Sequence, residues 1–145
     1  MKKLIISICV IVCSVSLYAQ NPMDERLYDE VKLKIGDDAT EISACAFGGT
    51  KKEGKPREGS CSLTLNKDVL YRFTCGNSKK STAILEQKLI SREDNQLIKV
   101  IEVKEGDISS FEFMCKKTGK YSIQSFYNGF GYCWNVTIIS KVNIK

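Results

Sequence analysis

Five aromatic side chains, Phe126, Tyr127, Phe130, Tyr132 and Trp134, fall within the stretch "SFYNGFGYCWNV". Rings at that density can stack on sugars or hold an apolar partner surface. Alternation places Phe126, Tyr132, Trp134 and Val136 on one parity and Tyr127, Cys133 and Asn135 on the other. One set must enter a core; the other, with Phe130 at the tip, is a candidate ligand surface. The competing reading is local. Asn128 and Gly129, with Gly131 close behind, tolerate the positive φ of a type I′ hairpin turn, so turn and core account for the stretch without a ligand.

A second cluster, Asp37, Asp38 and Glu41 in "GDDATE", offers carboxylate oxygens of the kind Ca²⁺ prefers. A carboxylate pair can also hydrolyse a glycosidic bond, although adjacent acids in a turn are commonly just solvated. The 145 residues include no histidine, so Ser-His-Asp and Cys-His nucleophile arrangements are excluded. The expectation is a protein that is not an enzyme and uses no cofactor. A carboxylate-based or calcium-dependent extracytoplasmic hydrolase is the alternative.

Of seven cysteines, Cys45, Cys61, Cys75, Cys115 and Cys133 lie beyond position 20. None forms a C-x-x-C pair, and without histidine a mixed zinc site cannot be completed. Disulfides in an oxidising compartment are the natural use. Cys45 with Cys61 and Cys75 with Cys133 are the expected bonds, which leaves Cys115 unpaired or joining two molecules in a cell-surface assembly.

The compartment follows from the first residues. Lys2 and Lys3, an apolar run from Leu4 to Val12 and smaller residues up to Ala19 form a secretory signal peptide over 1–19. The run is shorter than the roughly 20 residues that span a bilayer, so no membrane span is expected after processing. Cys13 raises lipidation, but Val12 stands where a small residue is expected. Residues 20–145 suffice for a single domain with one core. Lys2 and Lys3 carry two of the formal +5 charges, and the remaining charges of both signs are interspersed. The one basic cluster, "GTKKEGKPREG" at 49–59, reads as a glycine-rich solvated loop, and no nucleic-acid partner is expected.

The elements that must position these residues are mostly strands. "EVKLKIG" alternates Val31, Leu33 and Ile35 against lysines and predicts a strand, after "PMDERLYD" as a helical turn or loose arm. "EISACAFGG" and "GSCSLTL" predict a hairpin around the basic loop, with Cys45 facing Cys61. "NKDVLYRFTC" predicts a turn and a strand carrying Tyr71, Phe73 and Cys75 on one side. "TAILEQKLISREDNQLIKVIEV" is read as two strands joined by "SREDNQ". "SFEFMC" and "KYSIQSFY" form a hairpin about "KKTGK", and "NGFG" turns "KYSIQSFY" into "YCWNVTIISKV"; the "NVT" sequon in the last is strand sequence. About eight short strands without a convincing helix imply an all-β, jelly-roll-like antiparallel β-sandwich.

The segments "LNKDVLYRFTC" and "SSFEFMCKKTGKYSIQSF" give residues 62–139 a resemblance to the bacterial pre-peptidase C-terminal (PPC) type of β-sandwich domain. That resemblance implies an accessory module of secreted proteins, of a kind whose relatives bind carbohydrate or protein. The chain departs from the pattern in its cysteine content and in lacking an attached enzyme domain. Function must be argued from a site. The expectation is a small exported, non-enzymatic binding or interaction module with carbohydrate or protein as partner, placed in the periplasm, at the cell surface or outside the cell.

Overall fold

Strands with an apolar residue at every second position leave one face that water cannot satisfy, and two such faces bury each other in a sandwich. A computed structural model describes residues 22–51, 57–129 and 131–144. They form helix α1 (Pro22–Lys32) and strands β1 (Ala39–Lys51), β2 (Arg57–Leu65), β3 (Leu70–Asn77), β4 (Leu85–Ser91), β5 (Leu97–Val103), β6 (Ile108–Met114), β7 (Gly119–Tyr127) and β8 (Gly131–Val142). The signal peptide expected over 1–19, Cys13, Phe130 and the middle of the basic loop lie outside the described residues.

Two four-stranded sheets, ordered β1-β8-β3-β6 and β2-β7-β4-β5, face each other. All neighbouring strands are antiparallel. This is the eight-stranded jelly roll that the strand pattern predicts. Only β4 and β5, joined through "SREDNQ", are consecutive strands paired in one sheet; every other connection crosses between sheets. The hairpins expected at the basic loop, at "KKTGK" and at "NGFG" are therefore not formed. Turn residues permit a hairpin or a crossover equally, and burial of the apolar faces of both flanking strands selects the crossover.

The strand expected over "EVKLKIG" is also replaced, because α1 runs on to Lys32. Pro22 occupies the first helical position, where a missing N–H costs nothing. Leu27 and Val31, four residues apart, share one helix face and pack on Val136 and Ile138 of β8. Gly76 on β3 makes this approach feasible, since a Cβ there would lie 2.5 Å from Val31 Cγ2. Gly36, at φ +86°, then turns the chain toward β1.

Cys45 and Cys61 form the expected disulfide, for a different geometric reason: β1 and β2 are edge strands of opposite sheets, and the bond joins their inward faces. The bond expected between Cys75 and Cys133 is not formed. β3 and β8 are antiparallel neighbours as anticipated, but the register sets Cys75 opposite Thr137 and Cys133 opposite Gly49. Four residues of offset separate the two by about 13 Å along the strand, beyond disulfide reach. Cys75, Cys115 and Cys133 are all fully buried, so none is presented to a second molecule.

Removing the Cys45–Cys61 bond, which spans 16 residues of sequence, is expected to lower stability by about 3 kcal/mol through the freer unfolded chain. Denaturant unfolding of the oxidised protein beside a Cys45→Ala/Cys61→Ala variant measures this. Burial pushes the Cys75 thiol up to about 12, so iodoacetamide at mildly alkaline pH should leave Cys75 unlabelled until the protein is unfolded. Stoichiometric labelling of native protein at Cys75 would contradict its position.

Candidate functional site

Which aromatic rings meet solvent is decided in the core. The inter-sheet space holds two apolar clusters, one around Phe73, Leu89, Ile123 and Ile139, the other around Leu85, Val103 and Tyr127. Between them lies a buried polar layer. Gln87 Nε2 donates to Thr137 Oγ1 (2.7 Å) and Ser125 Oγ (3.4 Å), and Ser125 Oγ donates to Asn135 Oδ1 (3.4 Å). Asn135 Nδ2 donates to the Tyr127 hydroxyl (3.2 Å), which donates to Asn77 Oδ1 (3.2 Å). Asn77 Nδ2 closes the chain on the carbonyls of Ala83 and Val103, both at 3.0 Å. Unpaired, each group would cost about 1–3 kcal/mol; paired, they tie β3, β4, β5, β7 and β8 together across the two sheets.

Tyr127 is thereby a core residue at 0% exposure, not part of a binding surface. The parity read from the sequence holds, with Tyr127, Cys133 and Asn135 inward. The outward set is divided, because β7 and β8 belong to different sheets. Tyr132 and Trp134 stand on the outer side of the β8 sheet, where Trp134 packs against the cluster of Leu27, Val31, Val136 and Ile138 beneath α1. Phe126 stands on the outer side of the opposite sheet. The four described aromatics do not form one surface.

The outer face around Phe126 is built by three strands. Phe126 is directly opposite Glu58 on β2 and Glu86 on β4, and Glu86 is opposite Glu102 on β5. The next row is Ser60, Gln124, Lys88 and Val100. Directly opposed side chains have Cβ atoms about 5 Å apart, close enough to act on one ligand. Glu58, Gly59, Ser60, Lys88, Gln124, Ser125 and Phe126 line a depression of about 380 Å³. Lys88 Nζ pairs with Glu86 Oε1 at 2.6 Å. Among the residues whose side chains are described, no lysine or arginine makes an ion pair with Glu58 or Glu102. The site thus offers one ring edged by hydroxyl, amide, ammonium and carboxylate groups. No protein-family model matches the chain, and no curated protein is similar to it.

The acidic cluster does not assemble. Asp38 receives Arg72 Nη1 at 2.7 Å and Nη2 at 2.9 Å, while the same guanidinium donates to the Ile35 carbonyl (2.6 Å) and to Glu112 (2.6 Å). Glu41 accepts the Tyr28 hydroxyl at 2.8 Å and pairs with Lys32 at 3.4 Å. Asp37 is exposed. Among the described residues no group of three or more metal-ligating side chains is disposed to hold an ion, so the calcium expectation at Asp37, Asp38 and Glu41 is not met. The Asp38 and Glu41 carboxylates instead fasten the α1–β1 connection, Asp38 to Arg72 of β3 and Glu41 to Tyr28 and Lys32 of α1.

Of the residues that line this depression, the sequence reading includes Phe126 as a candidate and not Glu58, Ser60, Lys88 or Gln124. Gln124 was within reach, since it shares the parity of Phe126 in "KYSIQSFY". The others become neighbours only through strand pairing.

Tyr127→Phe is expected to cost about 1–3 kcal/mol by leaving Asn77 and Asn135 without their shared hydroxyl, measured by chemical denaturation. Hydrogen bonding from Arg72 holds the Asp38 carboxyl below its ordinary 3.8. The stability it adds is present above that value and lost as pH falls toward the lowered one. The stability gap between wild type and Asp38→Asn should accordingly close on acidification; a gap unchanged down the acid limb would show that charge plays no part.

Proposed function

We propose that the mature chain, residues 20–145, works outside the cytoplasm as a non-enzymatic recognition module whose ligand lies on the outer face of β2-β7-β4-β5. The observation that carries this reading is the asymmetry of the two outer faces. One is covered over Val136 and Ile138 by the Leu27 and Val31 face of α1. The other presents Phe126 and a mixed polar set in a depression that no described element covers. Export is supported by the signal peptide and by the Cys45–Cys61 disulfide, which belongs to oxidising compartments. No helix among the described residues is long and apolar enough to cross a membrane. The hydrolase alternative loses its support, since Asp38 and Glu41 are engaged by Arg72, Tyr28 and Lys32. An accessory role like that of pre-peptidase C-terminal domains is part of the same proposal.

The test is to pass the mature protein over immobilised extracellular polysaccharides and proteins, then map the retained ligand by amide chemical-shift changes. Shifts are expected in β2, β4 and β7, with α1 and β8 unchanged. Shifts confined to α1 and β1 would move the site to a second depression, of about 550 Å³, lined by Tyr28, Lys32, Ile35 and Glu41, and steady turnover of a polysaccharide would overturn the non-enzymatic assignment.

A further inference from the structure

The ligand class can be narrowed, on the reading that the β2-β7-β4-β5 face is the binding surface. We infer that this face takes a glycan of neutral or amino-bearing sugars, stacked on Phe126, and rejects chains that carry carboxylates or sulfates.

The depression, at about 380 Å³, lies within the range of roughly 300–1,000 Å³ typical of small-ligand sites. Its lining suits sugar hydroxyls, which both donate and accept hydrogen bonds. Ser60 does both, Gln124 offers an amide of each kind, Lys88 donates and Glu58 accepts. Phe126 supplies the apolar platform on which the C–H face of a sugar ring rests. A protein partner would need a broad apolar contact instead. The exposed aliphatic side chains of this sheet, Leu97 and Val100, lie on the edge strand β5, outside the depression.

Charge selects among glycans. Glu58, Phe126, Glu86 and Glu102 form a single row across the sheet. Lys88 balances Glu86 at 2.6 Å, and no other lysine or arginine whose side chain is described pairs with this row. Like charges directly opposed across strands, as Glu86 and Glu102 are, disfavour the fold. The same row repels an anionic sugar and attracts an ammonium group, which is charge complementarity for an amino sugar and indifference to a neutral one. An ammonium placed over Phe126 also gains from the ring's electron-rich face.

Four soluble hexasaccharides test this by calorimetry with the full mature chain: glucose (β1→4-linked), N-acetylglucosamine, glucosamine and galacturonic acid. The first three should bind saturably and the fourth at least about tenfold more weakly, with glucosamine the tightest. Phe126→Ala should weaken all binding by about tenfold or more. Glu58→Gln should lower glucosamine affinity selectively, by about tenfold for a lost charge-assisted contact. Both positions are on an outer face, and unchanged denaturation midpoints verify that the variants are folded. Galacturonate binding as tight as glucose, binding indifferent to Phe126→Ala, or no saturable binding of any neutral or amino hexamer overturns the inference. An anionic or protein partner mapped to β2, β4 and β7, and lost in Leu97→Ser or Lys88→Ala, would overturn the glycan assignment while leaving the face as the site. Binding that maps to α1 and β1 would overturn both.

Discussion

The hydroxyl of Tyr127, held between Asn135 and Asn77 at 3.2 Å on either side, anchors β7 in its register. A strand that slips by one residue turns every side chain to the other face. With Tyr127 inside, Phe126 is obliged to point outward, between Glu58 and Glu86. The polar layer of Gln87, Ser125, Asn135 and Thr137 extends the same constraint to β4 and β8, because each of these groups would lose its partner in any shifted pairing. A purely apolar core would tolerate slippage more readily than this one.

The two faces of the sandwich then take different roles. Val136, Ile138 and Trp134 are apolar on the outer side of β8, and α1 covers them with Leu27 and Val31. Arg72 fastens the end of that cover by holding the Ile35 carbonyl, Asp38 and Glu112 at once. No element among the described residues covers the opposite outer face in this way. It is polar enough to meet water, with Phe126 as the ring that a ligand can share.

Strand positions were readable because alternation is a local property, and the "SREDNQ" hairpin was readable because its flanking strands are neighbours in the chain and in the sheet. A helical turn over "PMDERLYD" is legible, but its continuation to Lys32 is not, because Val31, Leu33 and Ile35 alternate like a strand, whereas the helical pair Leu27 and Val31 gains its stability from burial against β8. The Cys45–Cys61 bond was anticipated from inward parity, which holds for a sandwich as well as for a hairpin. The Cys75–Cys133 bond needed the register of β3 on β8, and no local feature of either strand carries it.

By itself the sequence determined an all-β jelly-roll-like chain, the parity of its aromatic residues and the absence of histidine chemistry, since composition and period-two patterning are written in neighbouring residues. Which aromatics share a surface depends on how the strands divide between the two sheets. β7 and β8 are consecutive strands with matching turn residues between them, yet they belong to opposite sheets. That separation buries Tyr127, sends Trp134 toward the covered side beneath α1 and sets Phe126 among side chains from β2 and β4. Those neighbours lie tens of positions away in the chain, and long-range strand pairing alone brings them together.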